Sequence, residues 1–185
     1  MKRHPNILAS TNAILLVIDV QEAFRKYIPD FNELTKGIVT LVEGAKLLDV
    51  PVVVTEQYSK GLGHTVEEIA GVLQSHETFE KNCFSCCGSE SFMNYLGKSG
   101  RRQIIVAGIE AHVCVNQTVH DLIAHDYQVH LVVDAISSRY AGNKKIGVKK
   151  MLSAGAVPST VEMALFEMLV NSGTDAFKAV QKLVK

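Results

Sequence analysis

Nineteen basic and nineteen acidic side chains among 185 residues leave the sequence with no excess charge of either sign. The sequence-wide electrostatic footprint that phosphate backbones or anionic membranes require is absent, so neither nucleic acid nor a membrane is expected as a partner. No stretch approaches eighteen consecutive apolar residues, so no bilayer span is expected. The N-terminal MKRHPNILASTN has no apolar run before Ile14, which argues against a secretory signal of ordinary form. There is no internal repeat, linker or low-complexity run. One domain over residues 1–185, with a single sizeable core, fits this length and the 47% hydrophobic content. A cytoplasmic protein is expected, with organellar targeting left open.

Cysteine is scarce. Of four, Cys83, Cys86 and Cys87 crowd into NCFSCCG, and Cys114 stands apart. Cys83 and Cys86 form a C-x-x-C, but no second ligand pair follows at zinc-site spacing. Nor does the motif open a helix directly after a core strand, as a thioredoxin-type redox pair would. Free thiols are the favoured reading of the cluster, with a thiol redox protein using Cys83, Cys86 and Cys87 as an alternative.

What is present is alternation. AILLVIDV (Ala13 to Val20), VPVVVTE (Val50 to Glu56), RQIIVAGI (Arg102 to Ile109) and YQVHLVVDA (Tyr127 to Ala135) read as strands buried on both faces. TFEK (Thr78 to Lys81) and AVPST (Ala156 to Thr160) are shorter candidates. The segments between them, including FNELTKGIVTLVEGAKLLD, HTVEEIAGVLQS and VNQTVHDLIAHD, repeat their apolar residues at three and four, as helices covering a sheet do. The fold expected is α/β, a doubly wound, mostly parallel six-stranded sheet with helices on both faces. Ligands in such sheets bind beyond the carboxyl ends of the strands. Asp19, Glu56, Lys81 and Asp134 fall at expected strand exits, and Cys114 lies close behind another.

Each of these residues has an ordinary explanation on its own. Asp19 could cap a loop, Lys81 could be a solvated edge lysine, and Cys114 could be a small buried hydrophobe. Together they suggest more. A carboxylate takes a thiol proton, an ammonium stabilises the anions that result, and the sulfur attacks a carbonyl. At the N-terminus of the expected helix, Cys114 is predicted to be biased toward thiolate.

LLVIDVQ with Asp19, FEKNCFS with Lys81 and GIEAHVCV with Cys114 resemble, in order and spacing, the three signature motifs of the isochorismatase-like cysteine hydrolases. The likeness runs from about Ile14 onward, through VVVTEQYSKGLGHT, DAISSR and STVEMALFE, toward the isochorismatase domain-containing branch. The resemblance implies a triad of Cys114, Asp19 and Lys81. It further implies a cis peptide joining Ile109 to Glu110, with the backbone N–H groups of Glu110 and Cys114 forming an oxyanion hole. A small amide or related carbonyl compound would then pass through a thioester acyl-enzyme, with no cofactor. The family commonly assembles as homo-oligomers, and apolar helix faces such as MALFEMLV permit this.

The nicotinamidase branch carries an Asp-x-His where this chain has Glu56 and Gln57, and His64 is the only imidazole nearby. No metal is therefore expected. His112, two residues before Cys114, is expected to line the pocket or face solvent rather than act as a base. His120, His125 and His130 have surface or packing readings. Phe24, Glu56 and Tyr58 are candidate pocket residues, with loop anchoring as the plain alternative. The rival to an enzyme is an interaction or scaffolding protein on the same fold.

Overall fold

In the computed structural model, which describes residues 3–73 and 76–185, six strands form one sheet in the order β3-β2-β1-β4-β5-β6. The strands are β1 (Ala13–Ile18), β2 (Val52–Gln57), β3 (His76–Lys81), β4 (Gln103–Ile109), β5 (Gln128–Ser137) and β6 (Val157–Ser159). Every pairing is parallel. The chain winds outward from β1 to one edge, returns through β4 and continues to the other, so β1 and β4 flank the point where the order reverses.

Both sheet faces are covered, which is why the central strand β1 is apolar at every position. In β1, Ala13, Leu15 and Val17 join a core with Leu34, Ile38, Leu41 and Leu165, beneath α1 (Phe31–Leu47) and α7 (Val161–Leu169). Ile14, Leu16 and Ile18 join the opposite core with Phe92, Leu96, Val115, Val119 and Met151. Those residues come from α4 (Glu90–Ser99), α5 (Cys114–Ala124) and α6 (Ala141–Ser153). Short helices α2 (Ser59–Leu62) and α3 (Glu67–Ala70) follow β2, and α8 (Asp175–Leu183) closes the chain.

The doubly wound, parallel six-stranded α/β sheet expected from the sequence is the one observed. Two other expectations are corrected. Among its described residues HTVEEIAGVLQS contains only α3, which starts late because the N–H of Thr65 is taken by Glu56 and Thr65 forms an antiparallel bridge with Gln21. Gln74 and Ser75, at the end of that segment, and Met1 and Lys2 lie outside the described residues. Asp134 is not at a strand exit. The register shifts between Val106↔Leu131 and Gly108↔Ile136, so β5 runs on to Ser137. The Asp134 carboxylate accepts from Val161 N at 3.0 Å, at the start of α7.

Candidate active site

β1 ends one residue before Asp19, whose φ of 53° turns the chain out of the sheet. Asp19 is 1% exposed, and its two carboxylate oxygens have different partners. Thr55 Oγ1, from β2, donates to Oδ1 at 2.7 Å, and Lys81 Nζ, from the end of β3, donates to Oδ2 at 2.6 Å. Lys81 and Asp19 form a buried ion pair, with side chains 0% and 2% exposed. Each carboxylate oxygen keeps acceptor capacity beyond these bonds.

Lys81 Nζ also donates to Gln57 Oε1 at 2.8 Å and approaches the carbonyls of Cys83 and Phe84 at 3.2 Å each. An ammonium has three hydrogens, so these four acceptors occupy it fully. Burial works to lower its pKa, but the charge of Asp19 and the hydrogen bond to it outweigh that and hold Lys81 above the usual lysine range, with Cys86 and Cys114 adding only where they ionise. It is a fixed positive charge.

Cys114 arrives by way of β4. Gly108, with φ 117°, lies in register with Ile18, and a Cβ there would sit 2.2 Å from Ile18 O. Only glycine lets the ends of β1 and β4 approach so closely. The next peptide, Ile109–Glu110, is cis. The turn that follows is closed by bonds from Ala111 N to Ser137 O (2.8 Å), Val113 N to Glu110 O (2.9 Å) and Val115 N to Glu110 O (3.2 Å). The amides of Glu110 and Cys114 take no part in these bonds. Cys114 is the first residue of α5 and 8% exposed. Gly147 of α6 packs against this turn, where a Cβ would meet Ala111 O at 2.7 Å.

The expected bias toward thiolate is overturned. Burial, then the Asp19 charge, push the Cys114 thiol well above its ordinary pKa, and Lys81 only partly offsets them. Desolvation beside a carboxylate disfavours the thiolate. At neutral pH the sulfur carries its proton, next to the group able to accept it.

The other candidates are distributed around this centre. Tyr58, 54% exposed, lines an open cavity of about 590 Å³ together with Lys60, Glu80, Lys81, Asn82 and Cys83. Cys114 and Asp19 are not among its lining residues. Glu56 is turned the other way: it accepts from Thr65 N at 2.7 Å and Thr65 Oγ1 at 2.8 Å, and lies 2.9 Å from His64 Nδ1. Although burial opposes it, these bonds hold the Glu56 carboxyl below the usual range. Phe24 packs against the core on the α1 side. His112 Nδ1 lies 3.0 Å from Ser138 Oγ. The Glu110 carboxylate accepts from Arg139 N and Nε, each at 3.0 Å. Among the described residues, no group of three His, Cys, Asp or Glu side chains is placed to hold a metal ion. No helix among them is long and apolar enough to cross a membrane.

Reading the sequence missed four residues at the site: Thr55, Gln57, Gln21 and Cys86. The signal for the first two was the run of three polar residues, Thr55, Glu56 and Gln57, ending an otherwise apolar strand, VVVTEQ. Cys86 is fully buried; its N–H donates to Thr118 Oγ1, one turn along α5 from Cys114, and its sulfur lies 3.7 Å from Thr55 Oγ1. Burial, with Asp19 adding, pushes its thiol up to about 11.

A family model described as "Isochorismatase domain" matches residues 13–163. A secreted isochorismatase effector from Phytophthora sojae is 38% identical over 178 residues, covering 94% of this chain and 85% of that protein. Isochorismatase domain-containing protein 1 from Salmo salar is 33% identical; the alignment covers 97% of this chain but 63% of the longer relative. Among solved structures, one described as the MAR1 ribonuclease from Caenorhabditis elegans superimposes with a TM-score of 0.92 at 40% identity, covering 96% of this chain and 92% of that one.

Proposed function

Since the chain belongs to the isochorismatase family, we propose that it is a cysteine hydrolase of small amides or related carbonyl compounds, with Cys114 as nucleophile, Asp19 as base and Lys81 as fixed counter-charge. The observation that carries this reading is the buried Lys81–Asp19 ion pair beside a protonated, nearly buried thiol, at the reversal point of a parallel sheet.

Asp19 takes the Cys114 proton as the sulfur attacks the substrate carbonyl carbon. The N–H groups of Glu110 and Cys114 receive the tetrahedral oxyanion. Collapse expels the amine, which takes the proton from Asp19, and leaves a thioester on Cys114. Water, deprotonated by Asp19, releases the acid and restores the thiol. Lys81, with no free hydrogen to donate, contributes charge and holds Asp19 in place.

The test is ammonia release from a panel of small amides, with Cys114→Ala and Asp19→Asn beside the parent protein. Cys114→Ala is expected to abolish turnover, and unchanged turnover in this variant would reject the nucleophile. Asp19→Asn separates the two roles of the carboxylate. It removes the charge that raises the thiol, so Cys114 is expected to alkylate faster while turnover falls by about a hundredfold or more, as loss of a general base does.

The thiol redox alternative fares worse, because burial pushes Cys86 and Cys87 up to about 11 and about 12, leaving little of the thiolate that exchange requires. RNA is the second substrate reading. The C. elegans relative bears the name ribonuclease, and α6 carries Lys144, Lys145, Lys149 and Lys150 with no acidic residue. Zero net charge weighs against it. Salt-sensitive binding of single-stranded RNA that Lys145→Glu with Lys149→Glu abolishes would favour RNA over a small amide.

A further inference from the structure

Gln57 is the last residue of β2 and stands in register with Lys81, the last residue of β3. Its Oε1 accepts from Lys81 Nζ at 2.8 Å, and its Nε2 donates to Asn82 O at 2.8 Å. A carbonyl only accepts and an ammonium only donates, so the amide has a single orientation that satisfies both. The backbone of Gln57 is held in turn by the fully buried Gln21. Gln57 N donates to Gln21 Oε1 at 2.8 Å, while Gln21 Nε2 donates to Gln57 O at 3.0 Å and to Gly63 O at 2.6 Å.

Lys81 Nζ thus sits among one carboxylate and three neutral acceptors. We propose that Gln57 is the positioning residue that holds the Lys81 ammonium on Asp19 without neutralising it, and so sets the positive charge that Cys114 experiences. The catalytic meaning of this role rests on the hydrolase reading above. A carboxylate at this position would give Lys81 two counter-charges and leave the centre net negative. An apolar residue would remove the 2.8 Å acceptor and leave the ammonium only Asp19 and the two more distant carbonyls, so that it is free to shift from Asp19 toward them. The other ionisable groups acting on this centre are Asp19, Cys86 and Cys114. Glu80 bonds Ser59, and Glu56 faces Thr65 and His64, so neither competes for Lys81.

The test needs no substrate. The rate of Cys114 alkylation by iodoacetamide is followed against pH in the parent protein, Gln57→Glu and Gln57→Met, with peptide mass spectrometry separating Cys114 from Cys83, Cys86 and Cys87. Gln57→Glu keeps an acceptor toward Lys81 but adds a negative charge. Its curve is expected to move to higher pH, with the rate at fixed pH on its lower limb falling about tenfold, the effect of a nearby like charge. Gln57→Met removes both polar atoms at nearly equal length and is expected to move the curve in the same direction by less. Curves that superimpose on the parent overturn the proposal, including the case in which thermal unfolding shifts but alkylation does not, since a purely structural residue would behave that way. If Gln57→Met fails to fold, Gln57→Glu decides. Alkylation requires no turnover, so its failure leaves the hydrolase reading to the Cys114→Ala assay.

Discussion

His130 is the third residue of β5, in register with Ile105 and Val157, completely buried and with neither ring nitrogen hydrogen-bonded. Burial lowers its pKa to about 4, against about 6.5 in an unfolded chain. The native state therefore keeps the imidazole neutral where the unfolded state binds a proton. Its contribution to stability is complete above pH ~6.5 and is lost as pH falls toward about 4, by about 3 kcal/mol. Urea unfolding at the two ends of that window is expected to show this loss in the parent protein and a correspondingly smaller one in His130→Leu; equal losses would contradict it. The sequence allowed a packing reading of this residue but not its lack of partners, because a ring's neighbours belong to other strands. Cys114 makes the same point more sharply. Its place at a helix start was legible in GIEAHVCVNQTVH, while its protonation was decided by burial and by a carboxylate ninety-five positions earlier in the chain.

Among elements, the junction of β1 and β4 is the most sensitive. Gly108→Ala would place a methyl group 2.2 Å from Ile18 O at a φ of 117° that alanine rarely adopts. The expected result is a loss of about 3 kcal/mol in stability, together with loss of activity, because Asp19 and Cys114 leave the sheet on either side of this contact. Gly142→Ala in α6 is the control: nothing lies within 4 Å of its Cβ position, so it is expected to be neutral or to stabilise by up to about 1 kcal/mol. Unfolding midpoints of the two variants check both statements. The strands themselves were readable from their apolar runs, and α1, α4, α5 and α6 from their periodicity. The failures had local causes. β1 stops at Ile18 rather than Val20 because Asp19 adopts a left-handed conformation to reach Thr55 and Lys81. The α3 segment shortens because Thr65 is bonded to Glu56 and bridged to Gln21.

At the scale of the whole molecule, Met163 and Phe166 on α7, with Val170 just beyond it, are 48%, 37% and 52% exposed. An apolar row of this kind on the outer face of a protein fits self-association, and we expect a homo-oligomer. Light scattering should give a mass above the 20.2 kDa of one chain, reduced by Met163→Glu with Val170→Glu; a mass of 20.2 kDa for the parent at micromolar concentration would exclude it. The sequence by itself determined the alternation of strand and helix, the two-faced core and the order of Asp19, Lys81 and Cys114, since hydrophobic periodicity and chain order are local properties. Only the tertiary structure decided which charges pair, that Lys81 has no free hydrogen, that the Cys114 sulfur holds its proton and that Gln57 belongs to the site. Those outcomes depend on contacts between groups far apart in the chain, sixty-two positions for Lys81 and Asp19 and ninety-five for Cys114 and Asp19, and on desolvation that exists only once both faces of the sheet are covered.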